Sequence, residues 1–182
     1  NKNQYLPMQG LEELKKTVAL YLHKNFNYKF KSTNILIGPG TKELMLLLQI
    51  CFDGEIILPT PSWVSYAPQA VIGKNKVHWI QTSSKNNWFP TAEEIENKLK
   101  SIPNKNILLY INSPNNPSGA VCKNYEEISK VVKKYNLIVL SDEIYSELTF
   151  QKGLKSISNF CPDNTIVSTG LSKWCGAGGW RL

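Results

Sequence analysis

The residues best suited to chemistry stand near the end of the chain. The segment Ser172-Lys173-Trp174-Cys175-Gly176-Ala177-Gly178-Gly179-Trp180-Arg181 joins a lysine to the single arginine among 182 residues, across glycines that let backbone pass close to a ligand. Set beside apolar strands, tryptophan and glycine, Lys173 is expected to be desolvated, which lowers the pKa of its amine and makes it a nucleophile for an aldehyde. The lone guanidinium of Arg181 suits bidentate binding of a phosphate. Three other groups accompany this pair. Gly40-Thr41-Lys42 opens a helix, so its amides and the helix dipole could hold a phosphate, although a plain strand-to-helix turn has the same residues. Asn115-Asn116-Pro117-Ser118-Gly119 has turn chemistry. Asp142, in Asp142-Glu143-Ile144-Tyr145, follows the run Leu137-Ile138-Val139-Leu140. A carboxylate at a buried strand end needs a partner to offset its desolvation, with helix capping as the simpler role.

These groups must be positioned by short strands alternating with amphipathic helices, the pattern of an α/β domain. Apolar residues at 11, 14, 18 and 22 predict a helix from Leu11 to His23, with Glu12 and Glu13 in its first turn. Further helices are predicted over Thr41 to Cys51, Ala92 to Leu99 and Asn124 to Lys134. Strands are predicted at Asn34 to Ile37, Glu55 to Leu58, Lys76 to Gln81, Ile107 to Ile111, Leu137 to Leu140 and Thr165 to Ser168. Continuous apolar runs such as Leu137 to Leu140 indicate burial on both faces, so the fold expected is a mostly parallel sheet covered by helices on both sides. Ligands in such sheets sit at the carboxyl ends of the strands, where the unusual residues cluster.

Composition removes several classes. With 42% apolar, 10% aromatic and only 19% charged residues, the chain has material for a packed core and is not a disordered segment. The net charge of +7 comes from scattered lysines, without the arginine forks that read bases, so nucleic acid is not an expected partner. No apolar run approaches the roughly 18 residues of a membrane span, and Asn1-Lys2-Asn3-Gln4 does not begin a signal peptide; a soluble protein is expected. Cys51, Cys122, Cys161 and Cys175 are widely spaced and the histidines are His23 and His78 alone, so no metal site is expected and the thiols read as reduced, cytoplasmic ones. Leu137 to Glu143 also looks like the magnesium-binding strand of a nucleotide hydrolase. The order Gly38-Pro39-Gly40-Thr41-Lys42-Glu43 fails the spacing of the matching phosphate loop.

Taken in order, the whole set resembles the class I and II aminotransferases, pyridoxal-phosphate enzymes of fold type I related to aspartate aminotransferase. The resemblance runs from Tyr5 to Leu182. It implies that Lys173 bonds the cofactor covalently and then acts as general base and acid. It further implies that Asp142 pairs with the pyridine nitrogen, Tyr145 bonds the ring oxygen, and Asn116 bonds that oxygen and helps seat the substrate carboxylate. Trp63, in Pro59-Thr60-Pro61-Ser62-Trp63-Val64-Ser65-Tyr66, matches the aromatic that stacks on the cofactor ring. Gly40, Thr41, Lys42 and Arg181 match the phosphate site. Tyr5, in Tyr5-Leu6-Pro7-Met8-Gln9-Gly10, matches a tyrosine that reaches the neighbouring subunit's phosphate, which implies a homodimer.

Two departures stand out. Gly170 occupies the position where many relatives place a phosphate-binding serine, leaving Ser172 or Ser168 to serve. Relatives also run well beyond Leu182. Residues 1–182 are thus expected to be the cofactor-binding large domain, with the small C-terminal domain and the arginine that grips the substrate carboxylate outside them, and the segment alone is expected to be inactive. The function implied is transfer of an amino group between an amino acid and a 2-oxo acid. A pyridoxal-phosphate lyase or decarboxylase shares these motifs, and a fragment that folds and dimerises without turnover is the alternative from another class.

Overall fold

The computed structural model describes residues 4–103, 106–150 and 153–182; the polar opening Asn1 to Asn3 lies outside them. The apolar run beginning at Ile107 becomes the central strand β3 (Ile107–Asn112), buried at every position. Around it form β1 (Glu55–Thr60), β2 (Lys76–Gln81), β4 (Ile138–Asp142) and β5 (Thr165–Ser168), in the order β2-β1-β3-β4-β5. Every pairing is parallel. The outer strands β2 and β5 are only partly buried, as edges are.

The strand period of two sorts the core into two layers. Ile57, Leu109, Ile111 and Val139 meet Ile95 and Leu99 of α4 (Ala92–Lys100) and Ile128, Val131 and Val132 of α5 (Tyr125–Lys134). Their neighbours Ile56, Leu58, Leu108, Tyr110 and Leu140 meet Met45 of α2 (Thr41–Cys51) and Tyr66 and Ala70 of α3 (Tyr66–Ile72). The result is a three-layer α/β/α domain. Helix α4 begins with a reciprocal cap: Thr91 Oγ1 accepts from the Glu94 N–H at 3.1 Å, and the Thr91 N–H donates to Glu94 Oε2 at 2.7 Å.

The strand expected at Asn34 to Ile37 does not form. Ser32–Asn34 make one 3-10 turn, and Ile37 spends its N–H on the Gln9 carbonyl at 3.1 Å, not on the sheet. Leu36 is 55% exposed, so this apolar run is too poorly covered to behave as a buried strand. Helix α3 escaped the periodicity reading because it is short and contains Pro68. Helix α1 (Glu12–Phe26) runs past His23 and ends at Asn27 in the left-handed conformation. Strands β1, β3 and β4 run past the ends of their apolar runs into polar residues, which places Asn112 opposite Asp142 and Asp142 opposite Ser168 in the ladders.

Candidate active site

Because all strands run the same way, their carboxyl ends share one edge of the sheet, and Asp142 is the last residue of β4. Its side chain is buried. Oδ2 accepts from the Tyr66 hydroxyl at 2.5 Å and Oδ1 from the Ile144 N–H at 3.3 Å. Burial pushes the carboxyl up from 3.8 to about 6, against the opposing pull of the Tyr66 and Ile144 bonds and the Lys173 charge. Asp142 has no ion pair among the described residues. The Tyr66 phenol is held strongly protonated by burial and by the carboxylate it donates to.

Asn112, across from Asp142 in the ladder, shapes the next loop. Its Nδ2 donates to the Asp142 carbonyl at 2.9 Å, and its Oδ1 accepts from the Asn116 N–H at 2.7 Å. Asn115 closes the turn by accepting at Oδ1 from the Ser118 N–H and hydroxyl, at 3.1 and 2.8 Å. Gly119, at φ +70°, supplies the left-handed residue that turn needs. Asn116 is thereby aimed at Tyr145, with Nδ2 donating to the phenol oxygen at 3.4 Å. Lys173 Nζ stands 5.7 Å from the centre of the Tyr145 ring.

A second cluster forms at the start of α2. Gly40 caps the helix at φ +94°, and a Cβ there would lie 2.1 Å from an Arg181 guanidinium nitrogen. Only glycine permits this approach. Arg181 Nη1 donates to the Gly178 carbonyl at 2.7 Å, which leaves the rest of the guanidinium fork beside the helix amides. Lys42 Nζ lies 5.6 Å from the centre of the Trp63 ring, and Trp63 meets Tyr66 edge-on with centroids 5.4 Å apart. The Gln69 side chain donates to the Lys42 carbonyl at 2.8 Å, tying α3 to the opening of α2.

The fold therefore brings together Asn116, Tyr145 and Lys173, and separately Gly40, Thr41 and Arg181, while Trp63 bridges Lys42 to the Tyr66–Asp142 pair. Ser172 is half-buried just before the lysine. Tyr5 stands fully exposed on the amino-terminal segment. One expectation is corrected: Lys173 is exposed, not desolvated, because it sits in a surface turn closed by the Gly176 N–H on its own carbonyl at 3.2 Å. At Gly170, a Cβ would meet the Leu182 carbonyl oxygen at 3.1 Å, and the Leu171 N–H donates to that same oxygen at 2.9 Å. A side chain there would require the Leu182 backbone to shift by a few tenths of an ångström.

Tyr66, Tyr110 and Asn112 escape a reading by motif. Tyr110 packs on Tyr66 with centroids 4.8 Å apart and accepts from Gln49 Nε2 at 2.6 Å, completing a buried polar layer under Asp142. The available signal was a polar residue closing an apolar run, Ile111-Asn112, as Ser141-Asp142 closes the next.

The donor set fits pyridoxal phosphate. The Arg181 guanidinium packs directly on Gly40 at the start of α2, and a buried carboxylate without an ion pair among the described residues and a primary amine lie at the carboxyl edge of the same sheet.

Residues 1–182 match the family model described as aminotransferase class I and II. The chain is 33% identical to an asparagine–oxo-acid transaminase of Streptococcus mutans, over 98% of this chain and 47% of that protein. It superposes on an aspartate aminotransferase from Thermus thermophilus with maleate at a TM-score of 0.90 and 26% identity, covering 98% of this chain and 47% of that one. An aromatic aminotransferase from Pyrococcus horikoshii gives 0.87 and 32%, over 98% and 49%. The chain spans about half the length of the curated relatives it matches.

Proposed function

The chain belongs to the class I and II aminotransferase family, and we propose that residues 1–182 are the cofactor-binding large domain of an enzyme moving an amino group between an amino acid and a 2-oxo acid. The observation that carries this reading is the buried Asp142 carboxylate at the end of β4, raised to about 6 by desolvation and lacking an ion pair among the described residues. A protonated pyridine nitrogen is the kind of cation that would offset that cost. When bound, pyridoxal 5'-phosphate supplies the sink for the electron pair left on the substrate α-carbon.

The chain's own residues do the rest. Arg181 and the Thr41 amide would hold the phosphate at the helix start that Gly40 opens, the Gly40 N–H being spent on the Gly38 carbonyl, with Lys42 and Ser172 beside them. Tyr145 and Asn116 would hold the cofactor's ring oxygen, and Trp63 would supply an aromatic surface for its ring. Lys173 would supply the primary amine that holds the cofactor aldehyde and would move the proton at the substrate α-carbon. Tyr66 keeps Asp142 oriented, and its hydroxyl bond favours the ionised carboxylate that a pyridinium needs. Tyr5, fully exposed here, is free to reach a second subunit, which supports a homodimer. All four cysteines are free, in keeping with a cytoplasmic enzyme of amino-acid metabolism. Relatives named for asparagine, aspartate and aromatic amino acids support a substrate class of amino acids with 2-oxo acid acceptors.

Absorbance titration with pyridoxal phosphate, followed by borohydride reduction and peptide mapping, tests the reading. The label is expected on Lys173. A label spread over the surface lysines, or none, would overturn it.

A further inference from the structure

Helix α1 lies beside the site. Lys15 and Leu22 are buried and Leu14, Val18, Ala19, Tyr21 and Phe26 are half-buried, so one apolar stripe faces the domain. Its contacts with two site loops add to that packing. The Tyr21 ring stacks on Trp174, centroids 5.9 Å apart and planes 6° from parallel, and its hydroxyl donates to the Glu147 carboxylate. Trp174 directly follows Lys173, and Glu147 lies two residues after Tyr145. Since Lys173 Nζ already stands over the Tyr145 ring, Tyr21 closes a circuit that runs through Trp174, Lys173, Tyr145 and Glu147. The chain leaving the helix adds a second tie, for Tyr28 donates to the buried Glu143 next to Asp142.

We propose that Tyr21 is a positioning residue for Lys173, locking the loop that carries Tyr145 to the loop that carries the lysine; this rests on the cofactor reading above. The need follows from the exposure of Lys173. A long side chain on a surface turn samples many rotamers, and fixing the indole beside it narrows the directions its amine can take.

The test compares two cofactor forms. Pyridoxal phosphate can condense with the Lys173 amine, whereas pyridoxamine phosphate carries an amine at the same carbon and cannot, so only the first reports on the lysine's placement. Losing an aromatic stack should cost about 3- to 10-fold in affinity. In Tyr21→Leu the Kd for pyridoxal phosphate is expected to rise by that factor, while that for pyridoxamine phosphate stays within about twofold. Tyr21→Phe keeps the stack and loses the hydroxyl, so it should fall between. Equal weakening of both ligands would make Tyr21 merely structural and overturn the proposal, as would no change in either. If Tyr21→Leu does not fold, Trp174→Leu removes the other half of the stack from a residue 37% exposed, with the same expectation and the same refutation. Failure of the native protein to take borohydride label at Lys173 would instead overturn the cofactor reading, which keeps the two failures apart.

Discussion

Asp142 concentrates the electrostatics of the site in one side chain. Its carboxyl is raised from 3.8 to about 6 in the folded chain, so folding binds a proton that the unfolded chain releases more readily. The stability it contributes is therefore full below about pH 4 and is lost as the pH rises through about 6. At 1.36 kcal/mol per pKa unit the swing is about 3 kcal/mol. Asp142→Asn, which cannot ionise, should accordingly gain up to about 3 kcal/mol on the native chain between pH 4 and 7 in denaturant unfolding. A difference that does not vary with pH would show that the carboxylate is not desolvated. Under the proposed function the same carboxylate would favour the protonated cofactor ring. Asp142→Ala should leave the Lys173 label intact, because the phosphate contacts remain, yet slow exchange of the substrate α-proton with deuterated water by orders of magnitude. Exchange at the native rate would reduce Asp142 to a turn cap. Asp142→Glu should be intermediate, since it keeps the charge and displaces it by a methylene.

Among the elements, the opening of α2 is where backbone would hold the phosphate under the proposed reading. Gly40 is held at φ +94° with Arg181 packed where a Cβ would be, so Gly40→Ala imposes both an unfavourable backbone region and a displaced guanidinium. Destabilisation of about 1 kcal/mol or more is expected, together with weaker binding of pyridoxal phosphate. Calorimetric melting and the absorbance titration check the two parts, and unchanged affinity would remove Arg181 from the phosphate site. Within the sheet, Leu109 of β3 is wholly buried against α4 and α5. Leu109→Ala should cost about 2–5 kcal/mol in urea unfolding, because the surrounding layer cannot collapse into the space. A loss below about 1 kcal/mol would mean that this layer is loosely packed.

For the whole molecule, binding of pyridoxal phosphate would be linked to folding by mass action. Pyridoxal phosphate at about one hundred times its Kd should add close to 2.7 kcal/mol, raising Tm, and Lys173→Ala should reduce that gain by removing the covalent linkage. An equal rise in both proteins would show that Lys173 is not the attachment point. The amino-acid sequence by itself determined the layered α/β architecture, because strand and helix periods are local and the buried runs of β1, β3 and β4 admit no other covering. It also marked Gly40, Asn116, Asp142, Tyr145, Lys173 and Arg181, whose residue types and surroundings are legible along the chain. The failed strand at Asn34 to Ile37 shows the limit of that local reading, since a strand exists only where another supplies its hydrogen bonds. The exposure of Lys173, the close approach of the Leu182 backbone to Gly170 and the partners of Asp142 follow from the tertiary structure. Tyr66 and Asn112 reach that carboxylate's residue from 76 and 30 positions away. Such pairings depend on parallel strands lying in register and on α3 packing across them, and no local pattern encodes the distance between residues that far apart in sequence.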